Sequence, residues 1–417
     1  MLEKQVIKFL EGVRAQRPMP LKVELWDGSV VPLADNTPVT IRLNKSSAAR
    51  HFMKPSLSSL GEAFVEGELD VTGDMRRVVD VAESLSRLGD EQHRLGKLPS
   101  HWLGRHTRRT DKKAIEYHYD VSNEFYALWL DPSMVYSCAY FDTGEEPLEV
   151  AQTRKLDHVC RKLRLEPGQT LLDIGCGWGA MAMHAARHYG VKAVGITLSQ
   201  NQFALATERV RQAGLADQVE IRLQDYREVP GEGVYDRISS IGMFEHVGLK
   251  NLRAYFDVVH RLLKPGGVAL NHGITSSDID SRSVGLGAGD FIDRYVFPDG
   301  EVPHVALAIR ELSASGLELT DAESLRRHYG RTLWRWSAAF ERNLDKLTEL
   351  AGERRARIWR VYLAGCAHAF DHGWVNIYQL QAIKPEIRPD GAWSPLPLTR
   401  DYMYVAAAAG FSPGRAG

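Results

Sequence analysis

Hydrophobic and polar positions change their spacing along the chain, and each spacing predicts an element. Up to about residue 90, short apolar runs at 22–25 and 39–43 sit between Gly, Asp and Asn turns and read as strands. The pattern turns helical at 80–88, so this region predicts a small α+β module. From residue 171 strand and helix patterns alternate: TLLDIG is an apolar run ending in glycine, 178–189 reads as a helix, KAVGIT as a strand, and 199–213 as a helix with Ser199 at its N-cap. VEIRL, YDRISSIG and GVALNHGI supply three more strands, with a helix at 251–263 that KPGG ends. Such alternation predicts an α/β architecture with a parallel, doubly wound sheet, which binds ligands at the carboxyl ends of its strands.

Beyond residue 274 the pattern loosens. The Ser/Asp/Gly-rich stretch 276–289 suggests a mobile loop or lid, two helical stretches follow at 332–350 and 353–370, and WVNIYQLQAI reads as a last strand. The boundaries expected from these patterns are an accessory domain at 1–92, a basic linker at 93–114, and a sheet domain at 115–417 carrying a lid or insertion at about 276–330.

Composition narrows the class. The 417 residues are 44% hydrophobic and 25% charged, with 52 Lys+Arg against 53 Asp+Glu, which excludes fibrous, disordered and multi-span membrane chains. A net charge of -1 argues against nucleic acid as a partner. Cysteines 138, 160, 176 and 366 show no paired C-x-x-C spacing, so reduced thiols in a cytoplasmic protein are expected, and no metal. The N-terminal MLEKQVIKFLEGVRAQRP is too broken by charge for a secretory signal, and no segment offers the ~20 apolar residues that cross a bilayer. Any membrane role is therefore peripheral. The stretch HRLGKLPSHWLGRHTRRTDKK at 93–113 gathers Arg94, Lys97, Arg105, Arg108, Arg109, Lys112 and Lys113 around Trp102 and Leu103. It reads equally as a solvated linker or as a patch resting on anionic lipid.

LDIGCGWGA places Gly175, Gly177 and Gly179 between a strand and a helix, where glycines give a tight turn and let the backbone approach a ligand. A dinucleotide site would want its third glycine at Ala180 and an acid after the second strand, yet that strand ends Gly195-Ile196-Thr197. Asp173 suits a cationic ligand better than a pyrophosphate. S-adenosylmethionine, which carries a sulfonium and an ammonium, fits this turn, and NAD is the competitor. After VEIRL, Asp225 offers an acceptor for an adenine amino group and Tyr226 a ring to cover it, although both could be ordinary loop residues.

Further segments fall at or near strand ends: YHYDVSNEFYALWLDPSMVYSCAYF, MFEHVG, NHGIT and RRHYGRTL. They bring a carboxylate (Glu245), imidazoles (His118, His246, His272), a thiol (Cys138) and phenols (Tyr136, Tyr329) toward one sheet edge. Each alone is a weak signal.

Together, YHYDVSNEFY, YSCAYF, LLDIGCGWG, GITLSQNQ, QDYRE, MFEHVG and WVNIYQLQ closely resemble the bacterial cyclopropane-fatty-acyl-phospholipid synthases and the related mycolic-acid cyclopropane synthases, over about residues 115–385. The resemblance implies a Rossmann-like methyltransferase sheet and methyl transfer from S-adenosylmethionine to a cis double bond of an unsaturated phospholipid acyl chain, closed by proton loss to a bound bicarbonate. It implies that Cys138, Glu245, His272, Ile274 and Tyr329 hold that anion, Cys138 and Ile274 through backbone amides. Tyr136, Tyr140, Phe141, Phe244, Tyr295 and Tyr329 are aromatic faces available to a developing carbocation.

The cofactor residues it implies are Tyr136, Ser137, Gly175, Gly177, Thr197, Leu198, Gln202, Asp225 and Tyr226, beside the Asp173 and Gly179 of the turn. Cys366 matches a cysteine once suspected as a nucleophile, but a small buried hydrophobe on a helix is the favoured reading, because this chemistry needs no covalent enzyme adduct. Asn271 and Gly273 stand where larger apolar residues are expected, which opens the question of product. The resemblance also implies a homodimer, peripheral to the inner face of the cytoplasmic membrane. Alternatives are a methylene- or methyl-branched product, N-methylation of a small amine, or a catalytically silent lipid- or NAD-binding module.

Overall fold

A computed structural model describes residues 2–53, 55–90, 121–281, 288–297 and 300–404. The basic stretch 93–113, His118 and residues 282–287 of the expected lid fall outside these residues. The chain forms two compact units, one of residues 1–103, 282–298 and 333–374, the other of 104–281, 299–332 and 375–417. The division does not follow a single cut: 282–298 and 333–374 group with the N-terminal segment, whereas a boundary at 115 would leave them with the sheet.

The first unit holds a four-stranded sheet of β1 (Leu21–Glu24), β2 (Val30–Pro32), β3 (Val39–Leu43) and β4 (Leu69–Thr72) in the order β2-β1-β3-β4. Alternation forms these strands, with Val39, Ile41 and Leu43 buried and Thr40 and Arg42 turned outward. Helix Leu2–Gln16 adds Val6, Leu10 and Val13 from one face to the same core, as does Leu85 of helix Met75–Asp90. Helix Glu353–Asp371 places Ala364 in it. The C-terminal helical stretch expected from 332 begins earlier and is interrupted, as Arg326–Arg342 and Leu344–Ala351.

The second unit carries a seven-stranded sheet: β5 (Thr170–Ile174), β6 (Lys192–Thr197), β7 (Val219–Leu223), β8 (Tyr235–Ile241), β9 (Leu263–Ser276), β10 (Glu318–Ser324) and β11 (Val375–Ile383), in the order β10-β11-β9-β8-β5-β6-β7. From β9 to β7 all pairs are parallel, but β11 runs antiparallel to both neighbours, so the sheet is mixed where a parallel one was expected. Both faces are covered: Leu171 and Leu172, adjacent on β5, enter different apolar clusters. KPGG does not cap a helix outside the sheet; it starts β9 with a register shift against β8, and the helix before it spans Leu252–Leu262.

Candidate active site

The glycine turn after β5 is made by backbone that side chains resist. Gly175, Gly177 and Gly179 have φ of 77°, 54° and 83°, and a Cβ on Gly175 would lie 2.9 Å from the Met243 Cβ. The amides of Gly175 and Cys176 donate to the Ile196 carbonyl at 3.0 and 2.9 Å, closing the turn onto the end of β6. Around it opens a cleft of about 1120 Å³, including its part open to solvent.

Of the residues expected for the cofactor, Tyr136, Ser137, Asp173, Gly175, Gly177, Thr197, Leu198, Gln202 and Tyr226 line this cleft. Thr197 Oγ1 donates to Gln202 Oε1 at 2.8 Å, a neutral pair where a ribose-binding acid would otherwise stand. Gly179 instead precedes helix Ala180–Tyr189, and Asp225 does not line the cleft. Its carboxylate is held by its neighbour, with Arg227 Nε at 2.9 Å and Nη2 at 2.6 Å, and the Arg227 guanidinium lies 5.4 Å from the Tyr226 ring centroid. Gln224 and Arg227, flanking Asp225 and Tyr226, line the cleft themselves.

Lys155, which sequence reasoning passed over, also lines it. Helix Leu148–Lys162 buries positions 151, 152, 155, 156, 159 and 160, so Lys155 occupies the apolar face, and that misplaced charge was the available signal. Its Nζ donates to Ser137 Oγ at 3.0 Å. Burial pulls the ammonium down to about 8, against the pull of acidic groups that include Asp131 and Asp173. Burial likewise pushes Asp173 up to about 6, against a 2.7 Å bond from Ser239 Oγ and the attraction of Lys155. Asp173 is thus largely an anion at neutral pH, beside the glycine turn, in a site suited to a cation.

Toward β8 and β9 the cleft is lined by Gly242, Met243 and His246. The turn Phe244–His246 is tied to β9 at two points: the Gly242 amide donates to the His272 carbonyl at 2.8 Å, and the Ile274 amide donates to Glu245 Oε1 at 2.7 Å. The Ile274 amide is therefore engaged by Glu245, a different acceptor from the anion the resemblance assigns to it. Burial pushes the Glu245 carboxyl up to about 7, opposed by that amide. Its Oε2 is buried with no partner among the described residues, as are His272 Nε2 and Gln379 Oε1. His272 Nδ1 lies 3.3 Å from Gln379 Nε2 on β11, and burial, then Lys155 and Lys162, keep the imidazole neutral.

The YSCAYF segment is fixed to the first turns of helix Arg326–Arg342. The Ala139 amide donates to Thr332 Oγ1 and that of Phe141 to His328 Nδ1, both at 3.0 Å. Tyr140 stacks on His328 with centroids 4.6 Å apart. Cys138 Sγ contacts the carbonyls of Ala139 and Leu325 at 3.2 and 3.9 Å, and burial pushes its thiol well up, away from nucleophilic thiolate. The Leu325 amide bonds the Ile377 carbonyl, Ile377 faces Ile274 across β11 and β9, and Tyr329 stands four residues beyond Leu325. Cys138, Tyr329, Ile274 and Glu245 are thereby joined through one backbone framework.

Three further residues do not line the cleft. Cys366 lies in the first unit, on helix Glu353–Asp371, with its thiol pushed up to about 12 by burial, and it does not line the cleft. Tyr295 also belongs to the first unit, packed against Phe291. Asn271 accepts a 3.0 Å bond from Tyr255 of helix Leu252–Leu262, on the opposite face of β9 from His272, so it belongs to the core. Gly273 has its own reason: a Cβ there would meet the Phe244 ring at 2.5 Å.

Comparison with known proteins places these features. The model of the mycolic acid cyclopropane synthetase family matches residues 106–380, and that of a domain of unknown function (DUF7884) matches 10–87. A Pseudomonas putida protein named "Probable fatty acid methyltransferase" is 47% identical over 388 residues, covering 93% of this chain and 96% of its own. The cyclopropane-fatty-acyl-phospholipid synthase of Escherichia coli K12 is 34% identical over 368 residues, covering 86% of this chain and 91% of its own. Among solved structures, that of mycolic acid cyclopropane synthase CmaA1 complexed with SAH and CTAB superimposes with a TM-score of 0.62 at 37% identity, covering 66% of this chain and 98% of that one.

Proposed function

This chain belongs to the mycolic acid cyclopropane synthetase family of S-adenosylmethionine-dependent methyltransferases, and we propose that it methylates a cis double bond in an unsaturated phospholipid acyl chain and closes a cyclopropane ring. The observation that carries this reading is the placement of Glu245 Oε2 and His272 Nε2. Both are buried and without partners among the described residues, and both are tied to the turn whose Gly242, Met243 and His246 line the cofactor cleft. Buried polar atoms normally have partners, so this pair fits a small polar guest or a proton in transit.

In the first step the alkene's π electrons form a bond to the donor's methyl carbon, and the C–S bond breaks with its electron pair left on sulfur. Cationic character moves from sulfur to the alkyl chain. Asp173 holds the donor's positive charge in the ground state, and aromatic faces such as Tyr136 attract the new cation without bonding to it. In the second step the methyl group loses a proton, and the freed C–H pair closes the third ring bond. Bicarbonate fits the Glu245–His272 set, since it offers both a proton and acceptor oxygens, and when bound it would supply the base. With its carboxyl pushed up to about 7, Glu245 can share a proton with such an anion and avoid like-charge repulsion. Neutral His272 can pass that proton onward.

Among the described residues no helix is long and apolar enough to cross a membrane. A phospholipid substrate would therefore be met from the bilayer surface, and the reading includes peripheral association with the inner face of the cytoplasmic membrane and a homodimer. The name of the Pseudomonas putida relative favours a second reading, in which loss of a chain proton leaves a methyl-branched alkene, or a hydride shift to the cationic carbon followed by loss of a methyl proton leaves a methylene-branched chain. The test incubates the protein with S-adenosylmethionine and vesicles of unsaturated phospholipid, then examines the fatty methyl esters. Ring protons in the NMR spectrum support cyclopropanation, vinylidene or methyl signals the second reading, and unaltered chains refute both.

A further inference from the structure

Away from this cleft, in the first unit, helices Met75–Asp90 and Glu353–Asp371 bring together residues nearly three hundred positions apart. Asp80 and Glu83 share one face of the first helix, while His368 and His372 lie one turn apart at the end of the second, with ring centroids 3.9 Å apart. A carboxylate oxygen of Asp80, a ring nitrogen of His368 and a ring nitrogen of His372 lie within 4.8 Å of one another.

Glu83 fixes which nitrogen of His368 faces the gap. His368 is 1% exposed; its Nε2 makes a 2.7 Å hydrogen bond with Glu83 Oε2, which leaves Nδ1 toward Asp80 Oδ1 at 3.1 Å. His372 Nδ1 lies 3.0 Å from the His368 carbonyl and the ring stacks on that of His368 with 27° between their planes, so Nε2 is the His372 nitrogen not engaged by that carbonyl. A ring nitrogen held by a carboxylate or a backbone carbonyl while the other is presented as a lone pair is the arrangement of metal-bound histidines.

We propose that Asp80, His368 and His372 bind a divalent first-row transition ion, zinc foremost, with Glu83 orienting His368 from behind. Two imidazoles and one carboxylate suit zinc, and the all-oxygen preference of magnesium and calcium excludes them. Bond lengths of ~2.1 Å put tetrahedral donors about 3.4 Å apart; Asp80 and His368, at 3.1 Å, already meet this, and the donors that lie up to 4.8 Å apart close in by movement of the exposed Asp80 and His372. The ion would staple the two helices together. The expectation of no metal rested on cysteine spacing alone, which cannot see ligands brought together from two distant helices.

The test uses the full chain without an affinity tag, dialysed against EDTA and titrated calorimetrically with zinc chloride. One ion per chain is expected, with a rise in melting temperature of about 3–6 °C at a hundredfold excess over Kd. Cobalt at the same site should give visible d–d absorption that zinc abolishes. Asp80→Asn with His372→Ala, changes at exposed positions, should keep the metal-free melting temperature and lose the heat, the shift and the colour. A double variant that binds zinc as tightly as the parent, or a parent that shows neither shift nor cobalt spectrum, would overturn the proposal.

Discussion

Replacing Glu245 by Gln separates the proposed acid–base role of this carboxyl from its hydrogen bond. Gln keeps an oxygen for the Ile274 amide, now 2.7 Å from Glu245 Oε1, and substitutes a neutral amide for the buried Oε2. Burial raises the carboxyl from its ordinary 4.5 to about 7, a penalty on the buried anion of about 3 kcal/mol. The sign follows from linkage. Below pH 4.5 the group is protonated in both folded and unfolded chains and costs nothing. As pH rises toward 7 the unfolded chain releases this proton first, so stability falls, and above that the full penalty applies. Glu245→Gln should therefore unfold at nearly the parental urea concentration at pH 4.5 and be more stable than the parent, by up to about 3 kcal/mol, at pH 8. Turnover at pH 8 should fall by about 10²- to 10⁴-fold, with S-adenosylhomocysteine binding retained. The measurement is a pair of urea titrations at the two pH values beside a single-turnover assay. A stability difference independent of pH would show that the carboxyl is not held in its raised state, and unchanged turnover would remove Glu245 from proton transfer.

Lys155→Met removes the cation near Asp173 and the donor to Ser137 Oγ, so the affinity for S-adenosylhomocysteine should drop by about tenfold or more on calorimetry; parental affinity would make Lys155 purely structural. Gly175→Ala forces a side chain to φ 77° and against Met243 Cβ at 2.9 Å, and should abolish cofactor binding while leaving the circular dichroism of the sheet intact; ordinary binding would refute the close-approach argument. Asn271→Ala leaves the buried Tyr255 hydroxyl without its bond and should cost about 1–3 kcal/mol by thermal melt with no change in product. A shifted double-bond position or a new branched ester would place Asn271 at the acyl chain after all.

The parts of this molecule that could be read from sequence are those where one physical constraint dominates a short window. TLLDI and KAVGIT are apolar because strands covered on both faces must be, and Ser199 is followed by its helix because its side chain accepts from the Gln202 amide. The three glycines mark a turn that only glycines adopt without strain. β10 escaped because ELTDAES is mostly polar with a single buried residue, Asp321, which is satisfied by Lys162 at 3.1 Å and Arg400 at 2.7 Å. Against the cost of burial, His158 and Lys162 hold Glu323 of the same strand down to about 2, so β10 is held by long-range ion pairs that leave no local pattern. The direction of β11 was hidden because a strand's residues look alike whichever way it runs. The bonding of Asp225 to Arg227 and of the Ile274 amide to Glu245 was not legible, because it depends on side-chain geometry.

The order in which the strands leave the ribosome differs from the order in which they must pair. β11 lies between β9 and β10, yet it is translated after both, once residues 333–374 of the other unit have emerged. Until then β9 presents a naked hydrogen-bonding edge and β10 has no neighbour, while the first unit still lacks its last helices. Neither half can mature as an independent cotranslational step, and a nascent chain stalled before residue 375 should be a client for chaperones that shield open sheet edges.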